Sequence, residues 1–99
     1  MDIKIKAVRF EASEKLEDLV VKKISKLERF SGDIGNVEVS MKVVKPETAM
    51  NKEVTIKVAM PGKELYAQEV CDTFEEAVDK NLDSLKIQLS KYKEKQKNH

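Results

Sequence analysis

The sequence predicts a single α+β domain, in which two helices cover one face of a four-stranded sheet in the order β-α-β-β-β-α. Three observations predict it: short stretches alternate apolar and polar residues, two longer stretches repeat apolar residues at helical spacing, and a Pro-Gly pair separates the last two strands. The 99 residues, 40% hydrophobic and 37% charged, suit one core and exclude collagen-like and disordered classes. We therefore expect one domain over 1–99.

The first half of the chain predicts a strand, a helix and a second strand. Residues 2–8 alternate as a half-buried strand does, with Ile3, Ile5 and Ala7 on one side and Lys4, Lys6 and Val8 on the other. Ser13 is the expected N-cap of a helix over 14–30, whose apolar stripe comprises Leu16, Leu19, Val20, Ile24, Leu27 and Phe30. After the turn at 31–36, alternation resumes over 37–44. Strand–helix–strand order implies a right-handed crossover if these two strands are parallel neighbours.

The second half predicts a hairpin and a long helix. Lys45-Pro46-Glu47-Thr48 reads as a loop, and strands follow over 53–60 and about 64–70. Pro61-Gly62 fits the centre of a type II turn, so these strands form an antiparallel hairpin. Asp72 and Glu75 resemble a capping box for a helix over about 73–95, whose apolar stripe comprises Phe74, Ala77, Val78, Leu82, Leu85, Leu89 and Tyr92.

Charges are nearly balanced in number but are separated on the first predicted helix. The chain contains nineteen lysine and arginine residues and eighteen aspartate and glutamate residues, which gives a formal net charge of +1. At about 100° per residue, one flank carries Lys15, Lys22, Lys26 and Arg29, and the other carries Glu14, Glu17, Asp18 and Glu28. Lys23 falls inside the apolar stripe, where its stem can pack while its ammonium reaches water.

The last helix also carries its lysines on two flanks. Lys80, Lys91 and Lys95 share one flank, and Lys86 and Lys93 lie on the other, while acidic residues concentrate at the N-terminal end. This polarity complements the helix dipole and is typical of a solvated surface. It equally fits a surface that follows nucleic-acid phosphates, and the pattern alone does not choose between the two. From about residue 91 the end is strongly basic and can fray.

The sequence gives no sign of an enzyme, a metal site or a cofactor. The only histidine is His99, at the end of the chain, and the single cysteine, Cys71, has no fixed base beside it. No His/Cys/Asp/Glu cluster has metal-ligand spacing, and no glycine-rich loop cradles phosphate or a small-molecule substrate. A lone thiol and the lack of a long apolar run indicate a cytoplasmic protein without a membrane span. Few aromatic residues are present, and core packing accounts for them, which disfavours sequence-specific single-strand recognition.

The two helices resemble a known family along essentially the whole chain. KISKLERF at 23–30, followed by the strand VEVSMKVVK, resembles the first half of the ribosome hibernation-promoting factor family. This family is also called ribosome-associated inhibitor A, or sigma-54 modulation protein. DTFEEAVDKNLDSLKIQLSKYKEK at 72–95 resembles its last helix. The resemblance implies a β-α-β-β-β-α fold related to double-stranded RNA-binding domains, which matches the order of elements above.

The resemblance implies a translation inhibitor of stationary phase and the stress response. Such a protein binds the small (30S) ribosomal subunit and its 16S rRNA, where messenger RNA and the A- and P-site tRNAs would lie, and stabilises inactive 70S ribosomes. This chain resembles the short form of the family, one kind of which acts with a separate ribosome modulation factor. The acidic tail of the kind that opposes ribosome dimers is absent from this sequence.

The expected ribosome-binding residues combine the resemblance with the two basic surfaces. Lys23 and Lys26 match basic positions of the family's first helix, and Lys91, Lys93 and Lys95 match its terminal K-x-K-x-K pattern. The full expected set is Lys22, Lys23, Lys26, Arg29, Lys80, Lys86, Lys91, Lys93 and Lys95.

Two departures and two rival functions remain. Ser84 and Ile87 stand where the family commonly has a lysine and an arginine, which leaves a gap in one flank. An aromatic residue common early in this helix is also missing, with Glu75 in its place. The rival functions are a protein-binding regulator of the sigma-54 modulation type and a generic binder of double-stranded RNA.

Overall fold

A computed structural model describes residues 1–44 and 49–97, and the predicted loop at 45–48 and His99 lie outside the described residues. The elements are β1 (Asp2–Val8), α1 (Glu14–Ser25) continued by a 3₁₀ segment (Lys26–Arg29), β2 (Asn36–Val43), β3 (Lys52–Met60), β4 (Lys63–Cys71) and α2 (Phe74–Lys97). The strands lie in the order β1-β2-β3-β4, with β1 parallel to β2 and both other pairs antiparallel. The predicted α+β fold is confirmed.

The apolar side chains converge on one face of the sheet, between it and the two helices. We call α1, its 3₁₀ segment and the following Phe30 the first helical stretch. The fully buried members include Val37, Val39 and Met41 from β2, Val54, Ile56 and Val58 from β3, Ile24 and Leu27 from the first helical stretch, and Leu85 and Leu89 from α2. Directly paired strand residues share a face, so the alternation read from the sequence places one set of side chains under the helices. The opposite, open face carries polar residues such as Lys4, Glu38 and Lys57.

The helix starts confirm one predicted cap and correct the other. Ser13 Oγ accepts a 3.1 Å hydrogen bond from the Leu16 amide, as predicted. The prediction of Asp72 as the cap of α2 is wrong by one position, because Thr73 Oγ1 accepts from the Glu76 amide at 3.1 Å. The Asp72 carboxylate is occupied elsewhere, since it accepts a 2.7 Å hydrogen bond from the Met50 amide.

Three polar contacts hold α2 against the β3–β4 hairpin, and they show that the helix runs antiparallel to β4 towards the hairpin turn. The fully buried Asn81 donates its Nδ2 to the Val54 carbonyl at 2.9 Å. Gln88 donates to the Tyr66 carbonyl at 2.9 Å and accepts from the Tyr66 amide at 3.4 Å, so it satisfies the free backbone edge of β4. Tyr92 Oη donates to the Pro61 carbonyl at 3.0 Å. The C-terminal turns of α2 therefore end beside the β3–β4 turn.

The β3–β4 turn has the predicted form. Met60 pairs with Lys63, which leaves Pro61 and Gly62 as the two loop residues. Gly62 has a φ of +73°, the left-handed value that a side chain disfavours at the third position of a type II turn. Among the described residues no helix is both long and apolar enough to cross a membrane.

Candidate nucleic-acid interface

The end of the first helical stretch presents three exposed cations. Lys22 lies in the last turn of α1, and Lys26 and Arg29 lie in the 3₁₀ segment that replaces the predicted continuation of the helix to residue 30. All three side chains are exposed, and within residues 1–44 and 49–97 none forms an ion pair with a carboxylate. Their charges are therefore available to a partner.

Lys23 is held inside the molecule's own helix pair. Its Nζ donates a 2.7 Å hydrogen bond to Asp79 Oδ1 and lies 3.7 Å from Glu75 Oε1, both on α2. The Lys23 side chain is only 18% exposed. The hydrogen bond to Asp79 raises the pKa of the Lys23 ammonium, an effect that burial opposes and the charges of Asp79 and Glu75 reinforce. Two carboxylates thus offset the charge of Lys23.

Two lysines of α2 make weaker internal contacts. Lys80 Nζ lies 3.7 Å from Glu76 Oε1 one turn earlier, with both side chains about half exposed, so solvent screens this pair. Lys86 Nζ lies 5.6 Å from the centroid of the Phe30 ring, a cation–π distance. Lys86 therefore lies against the end of the first helical stretch, and no carboxylate among the described residues pairs with its ammonium.

The contacts of α2 show which of its flanks faces which neighbour. Asp79 and Lys86 contact the first helical stretch, so they define the α1 side of α2, whereas Gln88 contacts β4 and defines the opposite side. At about 100° per residue, Lys93 falls on the α1 side with Lys86. The flank of Lys80, Lys91 and Lys95 falls on the β4 side, away from α1. The structure therefore brings Lys86 and Lys93, rather than that flank, to the side of α2 that faces α1.

The gap expected at Ser84 and Ile87 lies on the β4 side. Ile87 is 60% exposed, and the Ser84 hydroxyl accepts a 3.1 Å hydrogen bond from Gln88 Nε2. One turn of this flank thus offers an apolar and a neutral surface between Lys80 and Lys91. Lys91, Lys93 and Lys95 are all exposed, with no carboxylate partner in the described part of the chain.

One exposed cation near this surface does not stand out in the sequence. Lys63 is the first residue of β4 and pairs with the buried Met60, so it lies on the face of the sheet that the helices cover. The alternation of the strand could have identified it, because Lys63 lies two residues before Leu65 and so shares the buried face of Leu65. Its nearness to the end of α2 could not be read from the sequence, since it depends on how that helix docks.

The groups suited to covalent or metal chemistry are sparse in the described residues. Cys71 is fully buried, and burial raises the pKa of its thiol, which disfavours the nucleophilic thiolate. Over 1–44 and 49–97, no three His, Cys, Asp or Glu side chains are grouped to hold a metal ion. The exposed Tyr66 lies on the open face of the sheet, and the other rings pack in or against the core. The exposed lysines described above suit this surface to binding through charge.

The sequence and the fold are similar to those of known proteins. Residues 3–97 match the family described as sigma 54 modulation protein / S30EA ribosomal protein. A protein of Pseudomonas putida named ribosome hibernation promoting factor is 33% identical over 96 residues, which cover 97% of this chain and 90% of that protein. One of the same name from Escherichia coli is 32% identical over 99 residues, the full length of both.

Two solved structures share the fold. A ribosomal subunit interface protein from Coxiella burnetii superposes with a TM-score of 0.83 at 28% identity, covering 94% of this chain and 98% of that one. The N-terminal domain of Protein Y from Thermus thermophilus superposes with a TM-score of 0.79 at 24% identity, covering 93% and 99%. The second likeness bears on the fold alone.

Proposed function

Because the chain belongs to the family of sigma 54 modulation proteins and S30EA ribosomal proteins, we propose that it is a ribosome hibernation factor. It binds the small (30S) subunit in the channel for messenger RNA and tRNA, near the decoding centre, and stabilises inactive 70S ribosomes. This activity belongs to stress and stationary phase and to the cytoplasm, where ribosomes lie. The names of the relatives support the proposal.

The observation that carries the proposal is a set of cations around the ends of both helical stretches, all exposed except the half-buried Lys86, none of which pairs with a carboxylate within residues 1–44 and 49–97. Lys22, Lys26 and Arg29 of the first stretch, with Lys86 and Lys93 of α2, form the α1-side cluster, and Lys91 and Lys95 lie across α2 from it. Each ammonium or guanidinium that neutralises a phosphate of 16S rRNA releases a counterion, which supplies affinity without sequence readout. Inhibition then follows from occupancy, with no catalytic step and no cofactor.

The contribution of each expected residue follows from its internal contacts. Lys23 already faces Asp79 and Glu75, so we assign it a smaller share of phosphate binding than Lys26. Lys80 is weakly paired with Glu76 and separated from Lys91 by the turn with Ser84 and Ile87, so its share is also smaller. A separate ribosome modulation factor, with which one kind of short form acts, would bind the ribosome alongside this protein.

The test is co-sedimentation of the folded protein with ribosomes through sucrose gradients at low and high salt. We expect co-migration with small subunits and 70S ribosomes at low salt, and its loss as salt rises. The triple variant Lys26→Glu, Lys91→Glu, Lys93→Glu should bind much more weakly and with a flatter salt dependence. Its matched control is Lys4→Glu, Lys6→Glu, Lys57→Glu, which makes the same charge change on the open face of the sheet.

The same experiment separates the rival functions. A protein-binding regulator would show little salt dependence and no need for RNA. A generic binder of double-stranded RNA would be displaced from ribosomes by a plain duplex as readily as by free ribosomes. Equal ribosome binding by the two triple variants would contradict the assignment of the interface to the helix ends.

A further inference from the structure

Resting on the proposed function, we propose that Lys63 joins Lys91 and Lys95 in a second phosphate-binding cluster on the β4 side of α2. We call these three residues the β4-side cluster. It is separate from the α1-side cluster, because the two lie on opposite flanks of α2. The partner is therefore folded RNA that presents backbone phosphates to both sides of this helix.

Strand register directs Lys63 towards α2. Lys63 pairs with Met60, and Met60 is buried on the helix-covered face together with Val58 and Leu65. Directly opposed residues in an antiparallel pair share a face, so the Lys63 side chain leaves the sheet on the same side. The next residue, Glu64, pairs with Ala59 on the open face and points its carboxylate away from the cluster.

The level of Lys63 along the sheet matches that of Lys95 on the helix. Gln88 sets the common reference, because its side chain bonds to both backbone groups of Tyr66. From Tyr66 to Lys63 the strand advances about 10 Å at ~3.3 Å per residue. From Gln88 to Lys95 the helix advances about 10.5 Å in the same direction at ~1.5 Å per residue.

Two further contacts fix this arrangement. Tyr92, which lies between Lys91 and Lys95 in the chain, donates its hydroxyl to the Pro61 carbonyl, two residues before Lys63. At about 100° per residue, Lys95 lies ~20° and Lys91 ~60° from the direction of Gln88, so both face the edge that Lys63 begins. The turn of α2 that bears the two lysines is thus tied to the turn that precedes the third.

The β4-side cluster has an uncompensated positive charge. Lys63, Lys91 and Lys95 are exposed, and within 1–44 and 49–97 no carboxylate pairs with any of them. The nearest acidic residue on the helix, Glu94, points about 100° away from Lys95 and about 60° away from Lys91, and it forms no ion pair with either among the described residues. Three lysines at one end of the molecule suit two or three phosphates of an RNA backbone.

A cluster on each flank of α2 restricts the kind of RNA. A helix with its side chains is about 10–12 Å across, so phosphates that contact both flanks are separated by at least that distance. One extended strand follows one flank, whereas a junction or groove of folded RNA presents two backbone segments. We therefore infer that the last turns of α2 insert between two such segments of the small subunit.

The deciding experiment measures ribosome binding by Lys63→Glu against the matched control Lys57→Glu at several salt concentrations. Both are exposed lysines of the β3–β4 hairpin, but Lys57 lies on the open face. Lys63→Glu should weaken binding about fivefold to tenfold near 0.1 M salt and flatten the slope of log affinity against log salt by about one. Lys57→Glu should stay within about twofold of the unchanged protein, as a position outside the phosphate contacts does.

A second variant keeps the test valid if Lys63→Glu fails to fold. Lys63→Gln removes the charge without adding a carboxylate, and we expect it to lose a smaller part of the affinity with the same direction of slope change. Lys63 variants that bind like Lys57→Glu would overturn the β4-side cluster and leave the proposed function standing. If the unchanged protein fails to bind ribosomes at low salt, both the proposed function and the cluster are overturned.

Discussion

Lys23 Nζ of α1 donates a 2.7 Å hydrogen bond to Asp79 Oδ1 of α2, and this contact joins the last turn of α1 to the N-terminal part of α2. At the start of the pair, the rings of Phe10 and Phe74 stack with centroids 4.7 Å apart. At the far end, Lys86 lies over Phe30. The three contacts follow one another in the same order along both segments, so the helices run side by side in the same direction. Their basic surfaces are consequently fixed relative to one another.

The ion pair between Lys23 and Asp79 should contribute to stability more than to ribosome binding. A double-mutant cycle with Lys23→Met and Asp79→Asn, measured by urea unfolding, should give a coupling of about 0.5–1 kcal/mol, since Asp79 is 51% exposed and screened by solvent. Lys23→Met should keep ribosome affinity within about threefold of the unchanged protein, a smaller loss than Lys26→Glu causes.

The control for this cycle is Lys22→Met with Asp79→Asn. Lys22 is the exposed neighbour of Lys23, and it makes no ion pair among the residues described. Its coupling to Asp79 should be near zero. A loss of ribosome affinity in Lys23→Met as large as in Lys26→Glu would instead return Lys23 to the main phosphate contacts.

Periodicity was sufficient to predict the sheet and the helices, because burial on one face imposes it locally. The alternation through Val37 and Val39 and the Pro61-Gly62 turn depend only on residues close together in the sequence, and both are present in the structure. Lys23 was already placed within the apolar stripe of its helix. The carboxylate that meets it could not be predicted, because Asp79 lies 56 residues away and is brought there by helix packing.

The same limit applies to the candidate interface. A helical wheel separates Lys91 from Lys93, but it cannot say which of them faces α1. The hydrogen bonds between Gln88 and the free edge of β4 show that Lys91 lies on the β4 side of α2 and Lys93 on the α1 side. The capping residue of α2 was missed for a related reason: the Asp72 carboxylate accepts the amide of Met50, a contact across 22 residues that leaves the cap to Thr73.

As pH rises from neutrality, the stabilising effect of Lys23 should disappear only in strongly alkaline solution. Its folded-state pKa lies above the ordinary lysine value of about 10.4, chiefly because of the hydrogen bond to Asp79. A group with a raised pKa contributes its full stability below the unfolded pKa and loses it as pH rises through the folded pKa. The difference in unfolding free energy between the unchanged protein and Lys23→Met should therefore be constant from pH ~7 to ~10 and shrink above ~10.4. A difference that already changes between pH ~6 and ~8 would assign the effect to other groups.

Cys71 should react slowly with thiol reagents while the protein is folded. Its side chain is fully buried and burial raises its pKa, so both access and thiolate content are low. A thiol-specific reagent should label it at least ~100-fold more slowly than it labels the unfolded chain, because reaction requires local or global opening. The matched control is Ser90→Cys in a Cys71→Ala background, since Ser90 is exposed on α2 and should be labelled rapidly. Equal rates at the two positions would contradict the burial of Cys71.

Removing the hydroxyl of Tyr92 should loosen the end of α2 without changing any charge. Tyr92→Phe keeps the ring in the core but loses the 3.0 Å hydrogen bond to the Pro61 carbonyl, which should lower the free energy of unfolding by about 0.5–1.5 kcal/mol. Hydrogen exchange of the α2 amides after Leu89 should accelerate more than that of the amides around Leu82, because the lost contact ties down only the last turns.

Tyr66→Phe is the control, since Tyr66 is 48% exposed and its hydroxyl makes no hydrogen bond in the described part of the chain. Ribosome binding should weaken about twofold to threefold in Tyr92→Phe alone, because Lys91 and Lys95 must then be ordered at the moment of binding. Faster exchange spread evenly along α2 would mean that the hydroxyl stabilises the whole helix rather than its basic end.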